Sequence, residues 1–362
     1  MTPLAEKLVR HIEAAGPITV ADYMAACLAD PEHGYYMRRE PFGRDGDFVT
    51  APEVSQIFGE LIGIWAVAVW EMMGSPRRFV LAELGPGRGT LMADVIRTSL
   101  IKPSFLRAAD IHLVEISPRL RELQREKLAS TGLAMQWHGR IEDLPDGPAI
   151  VIANEFFDAL PVHQFQWANG QWAERVVGLT AEGKLAFGLR PVDHRPPGVP
   201  LPDGTLIETS PAGKNTIGAI AGRLVRDGGA ALIVDYGSAT PGTASTLQAV
   251  RAHKYDDPFA APGEADITAH VDFAALARAA TEAGAVARSL MRQGEFLIRL
   301  GLVERANVLG REKDSETRNA IAVAIERLAA PKAMGDLFKV LAISAPGLLL
   351  PVFDPYPEEA SQ

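Results

Sequence analysis

Glu83-Leu84-Gly85-Pro86-Gly87-Arg88-Gly89 is the stretch that decides how this chain folds. The apolar run Phe79–Leu84 reads as a short buried strand. Thr90–Leu100 carries Leu91, Met92, Val95 and Ile96 on one helical face. A glycine turn between strand and helix lets the backbone approach a ligand, and the helix N-terminus points at the same place. The spacing is G-x-G-x-G. A dinucleotide motif would need its third glycine where Thr90 stands. Glu83 at the strand end would oppose a pyrophosphate and attract an ammonium. A ligand with an ammonium and a sulfonium but no phosphate, S-adenosylmethionine, fits that charge better than a nicotinamide dinucleotide.

Outward from the loop the pattern repeats. Ile111–Ile116 reads as a second strand, and Ser117-Pro118 starts a helix with serine as cap and proline at the first helical position. Glu115, with Ile116 beside it, stands where an acidic residue takes ribose hydroxyls. Ile141 is placed to pack on adenine and Glu142 or Asp143 to meet its amino group. An exposed acidic turn is the equal alternative. Ala149–Ala153 is another buried strand, arriving at Asn154-Glu155, and Ala231–Asp235 a further one. Strand–helix alternation of this kind predicts an α/β fold: a mostly parallel, Rossmann-like sheet with helices on both faces and ligands at the carboxyl ends of its strands.

The flanks differ. Residues 1–75 read as an N-terminal helical region with a long loop from Asp30 to Pro52. Thr50 and Glu53 there form a capping-box pattern for a helix running to Met72. Residues 76–161 and 211–350 make the core. Residues 162–210 read as a β-rich insertion, with a hairpin turning at Asn169-Gly170. Helices are expected near 271–284, 295–309 and 315–329, strands near Ala285–Leu290 and Phe338–Ser344, and residues 351–362 form a tail.

The 362 residues are 47% hydrophobic and 22% charged, as in an ordinary globular protein. A formal net charge of −9 makes nucleic acid a poor partner. The longest apolar stretch, Leu61–Trp70, is far short of the ~20 residues of a membrane span. The single cysteine, Cys27, forms no internal disulfide and reads as a core residue, and no metal ligand set is assigned. The Met1-Thr2-Pro3-Leu4 start lacks a signal-peptide pattern.

Several segments closely resemble the MidA family of S-adenosylmethionine-dependent class I methyltransferases, which includes a mitochondrial complex I assembly factor with protein arginine methyltransferase activity. They are Gly46-Asp47-Phe48, residues 50–60 (TAPEVSQIFGE), 83–92 (ELGPGRGTLM), Glu115–Pro118, Asn154-Glu155, 158–162 (DALPV), 235–237 (DYG), 266–273 (DITAHVDF), 293–297 (QGEFL) and 334–341 (MGDLFKVL). The resemblance implies a Rossmann-like methyltransferase that modifies a protein arginine, with a complex I subunit as acceptor in the mitochondrial case. It implies a bacterial cytoplasmic member or a processed matrix form.

Methyl transfer to arginine needs alignment, desolvation and a proton acceptor. A guanidinium is a planar fork of donors, so paired carboxylates would hold it. Glu155 and Asp158 are expected as clamps, and Asn154 places cofactor or acceptor. Asp47 would close over the site, and Tyr236 and His270 are weaker candidates. Glu83, Gly85, Gly87, Gly89, Glu115, Ile116, Ile141 and Glu142 are expected around the cofactor. Rival readings are an assembly factor without turnover, a small-molecule methyltransferase and an NAD-dependent oxidoreductase. The β-rich insertion is open as a substrate face or a homodimer face.

Overall fold

The computed structural model describes residues 1–38, 50–192, 202–240, 242–251 and 253–355. Asp47, expected to close over the site, lies outside the described residues. The chain divides into two compact units, one of residues 49–156, 216–237 and 275–362, the other of residues 1–48, 157–215 and 238–274. This line differs from the expected boundaries. The N-terminal helices share a unit with the β-rich segment because Ile18–Thr19 pairs antiparallel with Val176–Val177.

The larger unit is built on one sheet. Its strands are β1 (Phe79–Leu84), β2 (Ala109–Val114), β3 (Met135–His138), β4 (Ala149–Asn154), β5 (Gly229–Ser238), β6 (Val286–Ala287), β7 (Met291–Arg292) and β8 (Phe338–Ser344). Their order is β6-β8-β5-β4-β1-β2-β3, with β7 on β8. Strands β1 to β5 are mutually parallel, while β8 runs antiparallel to β5. Every residue of β1 and β4 is buried, as in a sheet covered on both faces. Phe79, Leu81, Ile150 and Ile152 join a core with Ile57, Phe58, Leu61 and Trp65 of the helix α1 (Gln56–Met72). The alternate residues Val80, Ala82 and Leu84 are equally buried.

Three local expectations change. Thr50 makes no side-chain cap, so the capping box with Glu53 is not formed. The chain makes one short turn, Ala51–Val54, breaks at extended Ser55, and restarts as α1, whose Ile57 N–H is capped by the Ser55 hydroxyl at 3.2 Å. The helix expected near 295–309 is two, Gln293–Arg299 and Leu302–Gly310, split at Gly301 with φ +94°. The strand expected over Ala285–Leu290 is the two short pieces β6 and β7, because each pairs with a different part of β8.

In the smaller unit, helices Pro3–Ala15 and Val20–Ala29 carry their own caps at Thr2 and Thr19. The hairpin His163–Ala168 and Gln171–Leu179 sits in a five-stranded sheet with Ile18–Thr19, Leu185–Pro191 and Leu206–Thr209. Asn169 and Gly170 have φ +52° and +76°, as an Asn-Gly hairpin turn requires. Cys27 is fully buried in this unit's core, and burial pushes its thiol up to about 12, so it stays a thiol at neutral pH. Among the described residues, no helix is long and apolar enough to cross a membrane.

Candidate active site

Chain order and sheet order part company at β1. Strands β2 and β3 follow on one side of it, and β4 lies on the other. A crevice opens at the carboxyl ends of strands where the order switches in this way. The glycine loop follows β1 into this place, and Asn154-Glu155-Phe156 follows β4. The Phe156 ring lies against Gly85: a Cβ there would stand 2.9 Å from the ring, and Gly85 has φ +61°. Only glycine suits that position. Gly87 and Gly89 also have positive φ, +53° and +80°.

Glu83 ends just short of the loop and is 3% exposed. Burial pushes its carboxyl up to about 8, against the lowering effect of the Met92 backbone N–H. Its Oε2 has no hydrogen-bond partner. Asn154 Nδ2 donates to Glu155 Oε1 at 3.0 Å, while its buried Oδ1 has no partner either. A buried polar atom without a partner is costly, so two such acceptors at one crevice call for a ligand that donates. A cationic ammonium is such a donor.

Glu115, after β2, is a contrast. Its Oε1 accepts the Ser117 N–H at 2.8 Å and its Oε2 the Gln124 amide at 3.3 Å. Burial raises its carboxyl, and the Ser117 N–H leads the contacts that oppose the rise. Gln124 on the helix Pro118–Leu128 also donates to the Gly87 carbonyl at 2.8 Å and accepts from Trp137 Nε1 at 2.8 Å. One amide thus ties the glycine loop, the end of β2 and β3 together. Ile116 beside it is 52% exposed, a large apolar side chain in the open at the same strand end. Ile141 and Glu142 lie on a short helical turn between β3 and β4. Ile141 is half-buried. Glu142 is exposed, with Arg140 Nε at 3.4 Å.

Glu155 holds φ +50°, a left-handed conformation that costs a non-glycine residue about 1–3 kcal/mol. The structure brings Glu155 together with Asn154. Asp158, its expected fellow clamp, belongs to the smaller unit, where it is buried and its carbonyl accepts the Ala269 N–H at 3.0 Å. His270 also belongs to that unit, and Tyr236 packs edge-on against Phe338 at 5.6 Å.

Two further residues shape the crevice. Asp235, fully buried within β5, accepts the Phe156 N–H through Oδ2 at 3.2 Å and the Tyr236 N–H through Oδ1 at 2.9 Å. It fixes the backbone that carries Phe156. The signal was its Asp-Tyr-Gly setting at a strand end. Gln124 had no signal, because a glutamine on an otherwise charged helix reads as solvent-facing.

A sheet in this order with its antiparallel strand beyond β5, a G-x-G-x-G turn after β1 and an acidic residue after β2 define a class I methyltransferase. Residues 61–291 match the family described as "Putative S-adenosyl-L-methionine-dependent methyltransferase". The chain belongs to that family, and S-adenosylmethionine is its methyl donor. It is 40% identical to a Drosophila melanogaster protein named protein arginine methyltransferase NDUFAF7 homolog, mitochondrial, over 98% of this chain and 87% of that one. It is 37% identical to the human protein arginine methyltransferase NDUFAF7, mitochondrial, over 95% of this chain and 83% of that one. A candidate methyl transferase from Burkholderia thailandensis, solved with S-adenosyl-homocysteine bound, is similar with a TM-score of 0.81. That structure is 30% identical, over 94% of this chain and 91% of its own.

Proposed function

We propose that this methyltransferase modifies arginine in a protein, with a respiratory complex I subunit or a similar protein as acceptor. The observation that carries the reading is the name shared by relatives that match almost the whole chain, protein arginine methyltransferase. The mitochondrial label on those relatives supports the matrix as the compartment.

The donor supplies an electrophilic methyl on a sulfonium. The chain's own residues do the rest. Glu83 and Asn154 receive the donor's ammonium through their unpartnered oxygens, and Glu115 receives its ribose. Ile116 and the Ile141–Asp143 turn border the adenine. Glu155, at the end of β4, offers its carboxylate to a guanidinium and accepts the proton that methylation releases. Its strained backbone aims it, since a residue left in a costly conformation is one whose direction matters.

The test is transfer of labelled methyl to arginine-containing complex I subunits, read by amino-acid analysis for methylarginine. Glu155→Gln should bind S-adenosylmethionine normally and lose at least about a hundredfold in turnover, the scale of a positioned acid–base group. Label found only in a small molecule, or donor binding with no turnover on any protein, would overturn the arginine reading.

A further inference from the structure

Thr90 stands where the dinucleotide motif has its third glycine, and the structure gives it work. It is the first residue of the helix Thr90–Ser99, whose N-cap is Gly89 and which has no capping side chain of its own. The Thr90 hydroxyl donates to Glu53 Oε1 at 2.6 Å, which brings that carboxylate to the start of the helix. A carboxylate near a helix N-terminus also complements its dipole.

Glu53 is the residue that the sequence pairs with Thr50 in a capping box. That box is absent because the carboxylate is turned toward the glycine loop instead. The same short turn is tied at its other end: the Ala51 N–H donates to Glu155 Oε1 at 3.1 Å. Residues 51–54 therefore run from the loop after β4 to the loop after β1, across the switch point of the sheet.

We propose that residues 51–54 are a strap that sets the two cofactor-facing loops against each other, with Glu53 and Thr90 as its positioning residues. This rests on the cofactor placement above. The strap fixes the first turn of Thr90–Ser99, which opens directly on the glycine loop.

The experiment is calorimetric binding of S-adenosylmethionine and S-adenosyl-homocysteine to the full chain and to Thr90→Val, Thr90→Ser, Glu53→Gln and the Thr90→Val/Glu53→Gln double variant. Melting curves of the ligand-free proteins accompany it. Thr90→Val and Glu53→Gln should each weaken binding about tenfold, the low end for a charge-assisted hydrogen bond because this one acts on the ligand only through the loop. The double variant should lose no more than either single one, as residues sharing one interaction do. Thr90→Ser, which keeps the hydroxyl, should bind far more tightly than Thr90→Val. Ligand-free melting should change less than the ligand-induced shift. Wild-type affinity in Thr90→Val, or single losses that multiply to about a hundredfold in the double variant, would overturn the strap while leaving the cofactor site standing. No binding by the wild-type protein would overturn both.

Discussion

Two glutamates end neighbouring strands of the same sheet, and the fold treats them in opposite ways. Glu115 after β2 has both oxygens engaged, by the Ser117 N–H and the Gln124 amide, before any ligand arrives. Glu83 at the end of β1 is as deeply buried, yet keeps one oxygen without a partner. The first is a carboxylate already held in direction by the protein. The second is a stored cost, a buried polar atom left unsatisfied, that a cation would relieve. An ionised Glu83 would be relieved by a cationic ligand, whereas a pyrophosphate would hold it protonated.

The largest test of that contrast is Glu83→Gln. An amide keeps the shape but gives up the charge, and donor affinity should fall about a hundredfold by calorimetry, the weight of a hydrogen bond to a charged group. Unchanged affinity would mean that the ammonium is held elsewhere.

The second test is pH. The folded-state value of Glu83 is raised, to about 8, so the folded protein holds the proton more tightly than the unfolded chain. Its stability contribution is complete below the ordinary carboxylate value. It is lost as pH rises through about 8. Ligand-free wild-type protein should therefore lose melting temperature relative to Glu83→Gln between pH 5 and pH 8. Added donor should recover that loss, because its ammonium favours the ionised form. Parallel melting profiles for the two proteins would remove the stored cost from the account.

The smaller effects sharpen the Glu115 side. Gln124→Ala should weaken the donor about tenfold, since Glu115, Gly87 and Trp137 lose a common partner worth about one hydrogen bond each. Binding that is unaltered would show that Glu115 holds its direction through Ser117 alone. Ile116→Ala should cost only about three- to fivefold, from the few methylene-sized contacts an exposed side chain can offer a planar ligand. A larger loss would make Ile116 a principal contact rather than a border.

The legible part of the site was the part made by neighbours in sequence. The glycine loop, Glu83 and Glu115 announce themselves because strand, turn and helix follow within a dozen residues. Strand β3 passed unread, since Met135–His138 mixes polar and apolar residues at an edge and lacks the apolar run of β1. His112 on β2 and His138 on β3 were unread for another reason. Their rings meet at 2.8 Å across two strands, and burial lowers both basicities. The Thr50–Glu53 pattern was read by its spacing alone, and a competing partner outside the window took the carboxylate.

Legible from the sequence alone are most of the core strands, the glycine turn and the acidic residue just before it. Those follow from hydrophobic period and from the backbone freedom of glycine, which act over a few residues. Packing settles that one Glu83 oxygen is left without a partner, that Gln124 joins three elements, and that Glu53 serves Thr90 rather than Thr50. Hydrogen bonds between side chains depend on where strands and helices pack, and 37 residues of chain separate Glu53 from Thr90.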